Sequence, residues 1–114
     1  YVLNADYSNQ YYFRAQKVRE LIRTDYMSNF ESVDLIISPT SPILPFNIKR
    51  EVNNSLNMYL VDVYNVGASL AGLPALSVNI GCSRSPIGVH IIGKPFDEHV
   101  VISLASLLEL NLLQ

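Results

Sequence analysis

Asp62 is the residue of this chain with the clearest chemical potential, because it is the sole charged side chain between Val52 and Ser83. Its neighbours Tyr59, Leu60, Val61, Val63 and Tyr64 are apolar or aromatic. A carboxylate buried without a partner is costly, so Asp62 either faces water or meets a cation. At helical spacing Met58, Asp62, Asn65 and Ser69 share one face. Two readings of that face stay open: it is a wet side, or it is the wall of a site whose occupant carries a positive group such as a substrate ammonium.

The other reactive residue types form no recognisable constellation. A serine hydrolase elbow would read Gly-x-Ser-x-Gly, and a nucleotide loop Gly-x-x-x-x-Gly-Lys-Ser/Thr or Gly-x-Gly-x-x-Gly. None of these patterns occurs. His90 holds an alternating position in a strand-like run and reads as a packed or hydrogen-bonded side chain, whereas His99 reads as solvated. With Cys82 the two histidines lack the short spacing that metal ligands need. Asp97-Glu98 suits a helix N-terminus, where acidic side chains complement the dipole.

These residues must be carried by an α/β framework. From 9 to 30, Tyr11, Ala15, Val18, Ile22, Tyr26 and Phe30 recur at steps of three and four, which predicts a helix with one apolar stripe. Asp6 or Ser8 is a suitable cap, and Arg14, Lys17, Glu20, Arg23 and Asp25 fall off the stripe as solvated positions. Asp34 to Ser38 predicts a short buried strand. Prolines 39, 42 and 45 then impose an extended connection. A polar loop covers 49–54, and a second helix runs from Ser55 through Asp62 to the neighbourhood of Gly72.

Two apolar runs follow, Leu70 to Val78 and Ile87 to Ile92, separated by a turn at Cys82 to Ser85. Runs of this kind belong in a sheet covered on both faces. A last helix is expected from Asp97 to Leu112. The order is therefore helix, strand, helix, strand, strand, helix, without internal repeats.

Composition bounds the function. The chain has 114 residues, 49% hydrophobic and 16% charged, with a net charge of −2. It is richer in apolar residues than an average domain and suits a segment buried in something larger. It begins with Tyr1, so a longer parent is expected. No basic tract is available for a row of phosphates, which argues against direct nucleic-acid binding. Residues 63–83 carry no charge, but Gly67, Gly72, Pro74, Asn79 and Gly81 interrupt them, so no membrane span is expected. A single cysteine excludes an internal disulfide and suits a reducing compartment.

Taken together, Asp34 to Thr40, Met58-Tyr59-Leu60-Val61-Asp62, Leu70 to Val78 and Pro86 to Glu98 resemble the C-terminal end of an amidase-signature protein. The resemblance is narrowest to the A subunits of tRNA-dependent amidotransferases. Tyr11 to Arg19, the Met-Tyr-x-x-Asp pattern and Lys94-Pro95-Phe96-Asp97-Glu98 carry that part of it.

The resemblance implies an α/β fold: a mixed sheet with helices on both faces, of which residues 1–114 are one C-terminal segment, without an internal boundary and incomplete on its own. It implies a glutaminase that splits glutamine to supply ammonia for converting Glu-tRNA(Gln) to Gln-tRNA(Gln), or Asp-tRNA(Asn) to Asn-tRNA(Asn). The catalytic Ser-Ser-Lys set belongs to a segment preceding these residues. Asp62 alone carries over, as the acidic residue that contacts the glutamine amino group, while the arginine for the glutamine carboxylate falls just before Tyr1.

The implied partners are a companion transferase subunit, which uses ATP and Mg2+, a small third subunit, and tRNA held mainly by the transferase. No cofactor is implied in this segment, and the location is cytoplasmic, or an organelle matrix in a eukaryote. The alternatives are a stand-alone amidase acting on another carboxamide and a non-catalytic remnant or split-gene product. The chain departs from the family in four places: Asn4 to Ser8 stand for Ser-Ala-Gly-Tyr-Tyr, Gly67 for Pro, Val78 to Gly81 for Val-Pro-Cys-Gly, and His90 for Gln. Losing the proline at Asn79 is expected to loosen the strand exit.

Overall fold

The computed structural model describes residues 11–45, 60–81 and 86–112. Its elements are α1 (Phe13–Asn29), β1 (Leu35–Pro39), α2 (Val66–Ala71), β2 (Ala75–Asn79), β3 (Gly88–Gly93) and α3 (Glu98–Leu112), in the expected order. Asp6, Ser8, Met58, the 49–54 loop and the Cys82 to Ser85 turn lie outside the described residues.

The strands form a sheet of order β1-β3-β2, both pairings antiparallel. β3 is thus central, and its residues Ile91 and Ile92 are 0% and 2% exposed. Alternation sends them to opposite faces. Ile91 joins Val78, Val101 and Ala105 under α3. Ile92 joins Phe30, Ala68, Ala71 and Leu73 on the side of α1 and α2. Helices therefore cover β3 from both faces, as its apolar run, interrupted only by His90, requires. β2 is different: Ala75, Ser77 and Asn79 are exposed, and only Val78 on the other face is fully buried.

The apolar stripe of α1 is used in part. Phe30 is buried and Ile22 and Tyr26 pack on its cluster, but Tyr11, Ala15 and Val18 are exposed. The reason is length. α2 has 6 residues and α1 has 17, so at about 1.5 Å per residue the shorter helix covers roughly a third of the longer one.

The end of α2 accounts for every carbonyl that a helix C-terminus leaves unpaired. Gly72 adopts φ 66°, its N–H donates to the Ser69 carbonyl, and the Leu73 N–H donates to the Ala68 carbonyl. This is a Schellman ending, with Leu73 and Ala68 making the accompanying apolar contact. The last two carbonyls, of Leu70 and Ala71, accept from Arg19 Nε at 2.7 Å and Arg23 Nη1 at 2.5 Å. Arg23 is thus not a solvated position. Its length lets it reach the negative end of a neighbouring helix.

The second helix ends at Gly72 and the strand follows Pro74, as expected, so Leu70 and Ala71 of the apolar run are helical and the strand begins at Ala75. Two further expectations are corrected. Asp62 is not in mid-helix. Residues 62–65 form hydrogen-bonded turns in which the Asp62 carbonyl accepts from Asn65 and Val66. Val63 and Asn65, inside the turn, are poor helix formers, which favours the interruption. Finally, Asn79 ties the strand exit instead of loosening it. Its Oδ1 accepts from the backbone N–H of Gly81 at 3.0 Å and of Ile87 at 3.1 Å, an Asx turn that replaces the stiffness of a proline.

Candidate functional site

One edge of the sheet opens into a groove of about 350 Å³, walled by residues 39–45, Val61 and residues 86–88. The proline-rich connection supplies one wall because prolines 39, 42 and 45 forbid it to coil back into a helix. The opposite wall is β3's entry. The walls are mostly apolar, with the Thr40 and Ser41 hydroxyls among them. This is the usual composition of a small-molecule site, in which a few polar groups fix orientation.

Asp62 follows Val61, which lines this groove. Its side chain is exposed, and among the described residues it forms no ion pair. The turn that places it is held by its own carbonyl, which accepts at 3.0 and 3.2 Å from Asn65 and Val66. The carboxylate is therefore wet, uncommitted and fixed at its base. The helical face expected with Asn65 and Ser69 is broken by that turn.

Sequence reasoning missed a row of polar side chains on the α1–α2 face of the sheet. Cross-strand register sets Ser38 opposite His90 on one side and Ser77 opposite it on the other. Ser77 shares a hydroxyl–hydroxyl hydrogen bond with Thr40, whose N–H donates to the Gly88 carbonyl at 2.9 Å. The only available signal was the alternation of polar residues in three separate strands, which becomes a row only once the pairing is known. His90 is 6% exposed and its Nδ1 has no hydrogen-bond partner among the described residues. Burial lowers its pKa below the ordinary 6.5, because a charged ring is disfavoured away from water. His99 is exposed, as expected.

Elsewhere, Lys94 bonds Asp34 at 2.8 Å, which holds the Asp34 carboxyl below the usual carboxylate range. Among the described residues no group of three or more His, Cys, Asp or Glu is placed to hold a metal ion, and no helix is long and apolar enough to cross a membrane.

A family model described as Amidase matches residues 1–102. The chain belongs to the Amidase family. Among curated Amidase relatives, the A subunit of glutamyl-tRNA(Gln) amidotransferase from Sulfurihydrogenibium sp. (strain YO3AOP1) is 47% identical over 106 residues, covering 92% of this chain and 22% of that protein. The protein of the same name from Rhodospirillum rubrum is 43% identical over 111 residues, with 96% and 22% covered. The crystal structure of the glutamyl-tRNA(Gln) amidotransferase A subunit from Thermotoga maritima superposes with a TM-score of 0.78 at 38% identity, over 89% of this chain and 22% of that one. This Amidase chain thus spans about a fifth of the length of the relatives it matches, and its α/β fold is a portion of theirs.

Proposed function

We propose that this chain contributes one wall of the glutamine pocket in the amide-hydrolysing subunit of a tRNA-dependent amidotransferase. The observation that carries the reading is the exposed Asp62 carboxylate, unpaired among the described residues, in the turn that directly follows Val61, a residue of the apolar groove's wall. A carboxylate there complements the α-ammonium of glutamine, and the similarity to amidotransferase A subunits over 92% of the chain supports that substrate. The nucleophile, a serine activated by a second serine and a lysine, lies in the part of the protein that precedes these residues. It attacks the side-chain carboxamide, releases ammonia and leaves an acyl-enzyme that water converts to glutamate.

Residues 1–114 are, on this reading, one segment of a single amidase domain. The ammonia passes to a transferase subunit that uses ATP and Mg2+ to amidate Glu-tRNA(Gln), with a small third subunit completing the assembly. The setting is cytoplasm or organelle matrix, and no cofactor is assigned to this segment.

The test is Asp62→Ala in the complete protein. Loss of a charge-assisted contact is on the order of 1.5–3 kcal/mol, so the glutamine KM rises roughly ten- to a hundred-fold. An unchanged KM removes Asp62 from the site.

A further inference from the structure

α1 meets α2 at a tyrosine set against a glycine. A Cβ on Gly67 would lie 2.8 Å from Tyr26 Oη, and 3.5 and 3.6 Å from Cε2 and Cζ of the same ring. The ring carbons are at ordinary contact distance, so the hydroxyl oxygen alone occupies the room that a side chain at 67 would take. Gly67 has no positive φ, so its bareness matters here only for that room. Tyr26 is not free to withdraw. Its ring packs on the cluster of Phe30, Ala68, Ala71, Leu73 and Ile92, and its carbonyl accepts from the Phe30 N–H that closes α1.

The anchors of α2 decide where it can yield. Ala68 and Ala71 are each 1% exposed in that cluster, and Arg19 and Arg23 hold the carbonyls of Leu70 and Ala71. The end of α2 is therefore fixed, whereas most residues from 60 to 66 are exposed. Asp62 is tied to this freer side. Its carbonyl accepts from the N–H groups of Asn65 and of Val66, the residue next to Gly67. A push on Gly67 is thus passed to the turn and not to the core, because close-packed interiors yield little.

We propose that Tyr26 is a positioning residue for Asp62. Its hydroxyl, seated in the space left bare by Gly67, sets where the start of α2 stands, and so where the Asp62 carboxylate meets the substrate ammonium. Tyr26 touches no substrate and acts only through the backbone of residues 62–67. The proposal rests on the glutaminase reading, in which Asp62 makes that contact.

The test is a size swap in the complete protein, assayed on glutamine with the thermal midpoint measured alongside. Gly67→Ala is expected to raise the glutamine KM about fivefold, because a contact displaced by a fraction of an ångström is weakened and not lost. Tyr26→Phe vacates the place of the oxygen, leaves the start of α2 slack, and raises KM about threefold. The double variant puts the alanine methyl where the oxygen stood, at van der Waals distance from the ring, and returns KM to near its native value. In an Asp62→Ala background Gly67→Ala adds nothing, since the carboxylate it would displace is gone.

An unchanged KM in either single variant overturns the proposal. So does a double variant no better than Gly67→Ala, or a further rise in KM when Gly67→Ala is added to Asp62→Ala. A merely structural contact would lower and restore the thermal midpoint in the same swap while KM stayed constant. A raised KM in Asp62→Ala with no response to the swap overturns the positioning role alone. An unchanged KM in Asp62→Ala overturns the ammonium contact and the positioning role with it.

Discussion

Ile91 and His90 are consecutive in β3, both nearly or wholly buried, yet they enter opposite materials. Ile91 enters the layer beneath α3, where every member of the cluster is aliphatic. His90 enters a face that starts apolar at Ile92 and turns polar within one pleat, at Ser38, Ser77 and Thr40. One face is satisfied by what the chain itself supplies. The other carries a His90 Nδ1 without a hydrogen-bond partner among the described residues and leads to Thr40, which lines the groove. The contrast separates a part of the sheet that is built for stability from a part that is built to meet something else.

The contrast makes its strongest claim at Ile91. Truncating it to Ala leaves a cavity in a layer that two elements cannot both collapse into. The expected loss is about 2–5 kcal/mol, read as a lower denaturation midpoint of the complete protein. A loss as small as that of Thr40→Val, which removes one partly exposed hydrogen bond worth about 1 kcal/mol, would erase the distinction between the faces.

The order of elements and the double covering of β3 were legible because they depend on local spacing. The α1 stripe has a helical period, and the β3 run is apolar apart from His90. The extent of α1's burial was not legible, since it depends on how long α2 turns out to be. Asp62 was legible as an isolated charge in an uncharged run, but its turn was not, because the apolar spacing of 55–72 has a helical period that outweighs the weak propensity of Val63 and Asn65. The Thr40–Ser77–His90 row was invisible: its members lie 37 and 13 residues apart, and only strand register brings them together. Arg23 was misplaced for a similar reason, as its partner is a backbone carbonyl 48 residues away.

That arginine gives the next prediction, at the seam between α1 and α2. Arg23→Met keeps the aliphatic stem but leaves the Ala71 carbonyl unmet, so a loss of roughly 1.5–3 kcal/mol is expected from a bond with a charged donor. Gly72→Ala acts on the same helix end through the backbone. At φ 66° a Cβ is strained, and the cost is about 1–2 kcal/mol. Both should lower the thermal midpoint without moving KM for glutamine. A shift in KM would mean that the helix end communicates with the groove, and the two regions would not be independent.

The smallest effect is the pH dependence of stability owed to His90, and it tests whether the polar face is as dry as its burial implies. Burial lowers the folded-state pKa below the ordinary 6.5. As pH falls past 6.5 the unfolded chain takes up a proton that the folded chain refuses. Between those two pKa values the unfolded state binds more protons, so stability rises with pH in that window, and the contribution is complete above it. Denaturation midpoints followed from neutral pH downwards should show this slope, and His90→Gln should flatten it. The Asp34–Lys94 pair does not interfere. Asp34 titrates below its ordinary 3.8, and its contribution is present above that value and lost only as pH falls through the lowered one. If the slope survives in His90→Gln, the ring is reached by water in solution. The orphaned Nδ1 would then be an ordinary solvated atom, and the difference between the two faces of β3 would be one of composition alone.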